Sequence, residues 1–154
     1  MQPLPGKPSN LVKPTLDTKF HIDYEWWEQR ADEDYRSYLL THLPPEKRAL
    51  FSAHDEQRVV DYIHPETGEV FQLDELGLAI QQAAKQPDFI NPQTSLVDSV
   101  FRVFLANGNL PRTPRELAQD TGRDANTILK TLGGMKVYKG LRPLIVNPEA
   151  EKEE

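Results

Sequence analysis

No cysteine occurs among the 154 residues, and methionine and tryptophan appear only twice each. The missing cysteines exclude disulfides, thiolate metal sites and cysteine nucleophiles. No apolar run is long enough to cross a bilayer, which excludes a transmembrane helix. The opening "MQPLPGKPSNLVKP" has no apolar segment of the kind a secretory leader needs, so a cytoplasmic protein is expected. H-E-x-x-H, a glycine-rich phosphate loop and a nucleophile elbow are all lacking. The four histidines, His21, His42, His54 and His64, do not stand at metal-ligand spacings. Even "FHID", which groups His21 with Asp23, and "AHDEQ", which groups His54 with Asp55 and Glu56, read as ordinary positions. No metal, no cofactor and no enzymatic activity are therefore expected.

What is present is enough apolar material for a core, at 38% hydrophobic, and enough charge for water, at 27%. The net charge of −6 conceals a division. Residues 1–96 hold 9 Lys/Arg against 16 Asp/Glu, and residues 97–146 hold 8 against 4. The tail 147–154 is acidic again, with four Glu and one Lys. A basic module beside an acidic one suits a nucleic-acid contact joined to a separate interaction surface, or simply two solvated surfaces of unlike composition.

Four prolines within residues 1–18 predict a flexible arm. "KFHID" (19–23) alternates as a short strand does. Residues 24–43 predict one helix, because Trp27, Ala31, Tyr35, Tyr38 and Leu39 recur at helical spacing. Trp26 and Trp27 beside Tyr35 and Tyr38 suit a core better than a ligand clamp. Pro44-Pro45 opens a second short helix. "QRVVDYI" and "EVFQL" around "HPETG" predict a β-hairpin, and "DELGLAIQQAAKQ" (74–86) a helix capped by Asp74. The connector "PDFINPQT" marks the expected boundary, leaving an acidic α+β module at 19–90.

Beyond the connector, Leu96, Val97, Val100, Phe101, Phe104 and Leu105 form one apolar stripe, with Ser95 and Asp98 placed as in a capping box. Asn107-Gly108 stops that helix. Thr113, Pro114 and Glu116 open the next, Gly122 ends it, and Asp124 caps a third that runs to about Leu132. "MKVYKGLRPLIV" then predicts two β-like runs around Lys139-Gly140. Three short helices and a hairpin give the order of a winged helix-turn-helix, and "TPRELAQDTGRDANTILKTL" resembles the bacterial helix-turn-helix signature. Ala118 stands where the helices cross, Gly122 in the turn and Ile128 where the second helix is anchored, with Leu117 and Leu132 on the buried side. The resemblance covers residues 95–146. Arg123 departs from it, standing where the family usually has an apolar residue. Leu129 departs too, in a position that usually faces DNA, and is read as meeting a thymine methyl or packing on the wing or a dimer partner.

The fold expected is thus α+β, a C-terminal winged helix-turn-helix preceded by a small acidic module with a β-hairpin and helices. Duplex DNA is the expected partner. Asn126 and Lys130, one turn apart, share the outward face of the recognition helix, with Ala125 and Thr127 near its start and Arg123 just before it. Asn pairs bidentately with adenine, and Lys reaches guanine or phosphate. Lys136, Lys139 and Arg142 alternate along the wing, and Tyr138 is a phosphate donor. The N-terminal module is assigned self-association or a protein partner. The function expected is transcriptional regulation or DNA contact within a complex, the alternative being a non-enzymatic adaptor that binds protein.

Overall fold

The computed structural model describes residues 13–30, 34–51, 60–64 and 67–144. Among them the chain is mixed α and β, with seven helices and two small antiparallel sheets. In order these are β1 (Phe20–Ile22), α1 (Tyr24–Glu28), α2 (Tyr35–Leu40), α3 (Pro45–Arg48), β2 (Val60–Ile63), β3 (Val70–Leu73), α4 (Glu75–Ala84), α5 (Leu96–Asn107), α6 (Pro114–Thr121), α7 (Ala125–Leu132) and β4 (Leu141–Pro143). None of the helices described is long and apolar enough to cross a membrane.

Capping chemistry sets most helix starts. Asp74, Ser95 and Asp124 each accept a hydrogen bond from a backbone N–H three residues on, which satisfies a donor the helix itself leaves open. At α6 the full box is present: the Thr113 hydroxyl takes the Glu116 N–H at 3.1 Å, and Glu116 returns to the Thr113 N–H at 2.9 Å. Gly108 and Gly122 end α5 and α6 at φ 75° and 73°, in the left-handed region that glycine enters without strain. The half-box at Ser95 is not reciprocated by Asp98 in that way. Its carboxylate instead accepts from the Tyr38 hydroxyl at 2.5 Å, tying α2 to α5.

Strand β1 is the centre of the second organising feature. Its register against β4 runs Phe20↔Pro143, His21↔Arg142 and Ile22↔Leu141. On its other edge Phe20 bridges Arg112, and the Asn109 side chain accepts from the Ile22 N–H at 2.8 Å while donating to the Ile22 carbonyl at 3.0 Å. An N-terminal strand thus lies between the α5–α6 loop and the last strand. Phe20 and Ile22 are 0% and 1% exposed. The wing expected from "MKVYKGLRPLIV" is correspondingly changed. Lys139 and Gly140 make the tight turn, with φ 55° and 77°, but only Tyr138 and Leu141 bridge across it. The outgoing strand pairs with β1 because β1 offers a longer run of partners. Gly140 also permits a close approach: a Cβ there would stand 2.9 Å from Trp27 Nε1 and 3.1 Å from the Asp23 carbonyl.

The helix expected over 24–43 is two. Gln29 caps the end of α1, and the Asp34 carboxylate starts α2 by accepting from Ser37 N–H and hydroxyl, at 3.1 Å and 2.7 Å. An acidic residue at a helix start is favoured over one in a helix interior, so Asp34 restarts the helix. The hairpin 60–73 forms as expected, β2 pairing β3 in the register Ile63↔Val70. The tail 147–154, the arm up to residue 12, residues 31–33 within the expected helix and 52–59 lie outside the described residues.

The core spans both sides of the connector at 87–94. Phe20, Ile22, Trp26, Trp27, Leu43, Leu76 and Ile80 belong to the same buried cluster as Phe101, Phe104, Leu117, Ile128 and Leu141. At its centre Phe101 meets Tyr38 edge-on at 4.8 Å and lies parallel to the His42 ring at 5.4 Å, with Trp27 at 6.4 Å. His42 is 3% exposed, and its pKa is pushed down to about 4, first by burial and then by the Arg102 charge. Folding therefore favours the neutral ring. The resulting stability is present above the ordinary histidine pKa of 6.5 and is lost as pH falls from there toward about 4. Urea midpoints at about pH 7 and pH 5 should show a larger acid loss for the native chain than for His42→Phe, which keeps the ring stack without the titration. An equal loss in both would contradict this account.

Candidate nucleic-acid interface

Helix α7 is built to present one face outward. Ile128 and Leu132, a turn apart, are 0% and 3% exposed and seat the helix in the buried cluster. Asn126 stands two residues before Ile128, and Lys130 two before Leu132, which is about 200° around the helix axis at 100° per residue. Both are accordingly exposed. Neither makes a side-chain hydrogen bond or ion pair with the described residues. Thr127 is exposed as well, although its hydroxyl donates to Asp124 at 3.1 Å and so completes the helix cap. Ala125 is half-buried at the helix start. The backbone N–H of Thr127 is taken by Asp124 at 2.9 Å, so this helix start is already capped by its own side chains.

The remaining expected residues divide. Lys136 is exposed, its ammonium 5.0 Å from the centroid of the half-buried Tyr138 ring. That pair remains with the α7 face as outward-facing chemistry. Arg142 also stands exposed, but its guanidinium donates to Asp23 at 3.1 Å. Lys139 lies over the Tyr38 ring at 4.9 Å, and its carbonyl accepts from Trp27 Nε1 at 3.1 Å. Arg123 donates to the carbonyls of Pro92, at 3.3 Å, and Thr94, which holds the connector to the start of α7. Lys139 and Arg142 therefore face the chain's own N-terminal half, and Arg123 faces the connector. An apolar side chain at 123 could not make this grip on two carbonyls. Leu129, half-buried, packs against the core cluster.

Further residues outside the expected set are exposed. Arg115 and Gln119 are exposed on α6, and Arg115 pairs with Asp17 at 3.0 Å. An exposed pair of this kind adds little stability. Lys13 is exposed and precedes Pro14, and a Cβ on Gly133 would meet Pro14 Cγ at 3.4 Å. The segment 13–18 thus lies beside the end of α7. Nothing in a proline-rich sequence points to that position, because the docking depends on residues 98 apart, Asp17 and Arg115. Among the described residues, no group of three or more His, Asp or Glu could hold a metal ion. Comparison with protein-family models, with curated proteins and with solved structures finds no match for this chain.

Proposed function

We propose that this is a cytoplasmic, non-enzymatic DNA-binding protein, with the outward face of α7 laid against a duplex. Regulation of transcription, or DNA contact within a larger complex, is the role that would use it. The carrying observation is the pairing of Asn126 and Lys130, exposed and unpartnered among the described residues, on a helix whose opposite side is fully buried. Asn126 offers the donor and acceptor that adenine takes in the major groove, and Lys130 and Lys136 offer cations to phosphate.

The test is anisotropy of the full chain on duplex DNA across a salt series. Lys130→Ala and Lys136→Ala should each reduce the log–log salt slope by about 1, one phosphate contact apiece. Arg142→Ala should change it less, since Asp23 already holds that guanidinium. Asn126→Ala should cost about 1–3 kcal/mol on a preferred sequence and little on random DNA. No binding at low salt, where attraction to phosphate is strongest, would sink the reading. An adaptor would then take its place, for which the exposed cross-strand pair Ile63 and Val70, 64% and 59% accessible, is the supporting observation. Self-association or a protein partner is assigned to that same N-terminal half.

A further inference from the structure

A cavity of about 750 Å³ opens between the α2–α3 turn, α4 and Arg102 of α5. That volume is in the range that holds small organic molecules. Leu43, Ala79, Ala83 and Phe89 give it an apolar lining, and the buried His42 and half-buried Arg102 bring polar groups to it. His42 Nδ1 accepts from Arg102 Nε at 3.0 Å, so the proton of the neutral ring is on Nε2. That Nε2–H is buried and has no hydrogen-bond partner among the described residues. Native proteins seldom leave a buried donor unmatched, so the exception needs a cause.

Arg102 brings a donor that is open to solvent rather than buried. Its Nη1 donates to the Phe89 carbonyl at 2.7 Å and reaches Thr94 Oγ1 at 3.5 Å. Its Nη2 has no acceptor among the described residues, and none of their carboxylates lies within ion-pair distance of it. Asp98, one turn earlier on α5, is bound by the Tyr38 hydroxyl. The other cavity cations and anions are spoken for or solvated. Arg48 donates to the carbonyls of Leu40, Thr41 and Leu43, while Glu46, Lys47 and Asp88 are exposed. What the cavity lacks is an acceptor.

We infer that this cavity binds a small organic anion, its carboxylate or phosphate accepting from Arg102 and from His42 Nε2–H, its apolar body against Leu43 and Ala83. The site stands independently of the DNA reading, and its test involves no DNA. The full chain, with its histidines labelled with ¹⁵N, is titrated with benzoate and with phenyl phosphate, chloride at matched ionic strength serving as control. The expected result is a saturable shift of the His42 Nε2 resonance with at least one of the two, identifying the headgroup. Gln82→Trp, an exposed position on the cavity wall, should weaken that binding about tenfold or more. His42→Phe keeps the stack on Phe101 and removes the donor, and should weaken it similarly when followed by calorimetry. Shifts no larger than those of chloride, or affinity unchanged in Gln82→Trp, would overturn the inference.

Discussion

A fragment comprising residues 91–154 is expected to show no cooperative thermal transition, whereas the full chain melts in one. The reason lies in what residues 1–90 contribute to the core. Eight of the buried apolar side chains, Phe20, Ile22, Trp26, Trp27, Leu43, Leu76, Ile80 and Phe89, precede the cut. At about 1.5 kcal/mol or more for each large side chain buried, their packing is worth roughly 10 kcal/mol, similar to the whole stability of an ordinary domain. Part of that is packing among themselves, but Phe20 and Ile22 are covered from the C-terminal side. Removing β1 also strips β4 of its ladder and the 109–112 loop of its bridge. Circular dichroism at 222 nm and amide proton dispersion are the measurements. A sharp transition with native dispersion in the fragment would show that residues 95–146 hold a sufficient core alone.

Phe101→Ala is expected to destabilise the full chain by about 3–5 kcal/mol, the range for a large aromatic deleted from a packed core. Phe101 is 0% exposed and touches Trp27, Tyr35, Tyr38 and His42, rings that come from α1, α2 and the turn after it. The truncated side chain leaves a space that four rings border, and none can fill it without abandoning its own partner. Tyr38 is held by Asp98, and Trp27 by the Lys139 carbonyl. Urea unfolding followed by tryptophan fluorescence reads the change as a shifted midpoint with little change in slope. A loss below about 1 kcal/mol would show that the cluster relaxes into the space.

Both effects concern contacts that join distant parts of the chain, and it is there that sequence reading fell short. The helix starts at Asp74, Ser95, Thr113 and Asp124 and the stops at Gly108 and Gly122 are legible because each is settled within about four residues. The outward placement of Asn126 and Lys130 is legible for a like reason, since helical periodicity opposes them to Ile128 and Leu132. The hairpin at 60–73 follows from alternation around a Pro-and-Gly turn. The break in the helix over 24–43 is not legible, because the periodic stripe continues through it while the Asp34 cap that restarts the helix competes only locally.

Tertiary structure alone decided where Lys139 and Arg142 went. Arg142 meets Asp23 across 119 residues, and the Trp27 indole meets the Lys139 carbonyl across 112. The sequence shows Lys139 and Arg142 as outward cations suited to phosphate, because their partners become neighbours only once β1 has paired with β4. The same holds for Asn109, whose amide lines β1 from 87 residues away, and for His42 and Arg102, whose proximity creates the buried unmatched donor. Local hydrogen bonding and side-chain periodicity are properties of a chain segment and can be read from it. The choice of a long-range partner depends on which apolar surfaces close over one another, and no segment carries that information by itself.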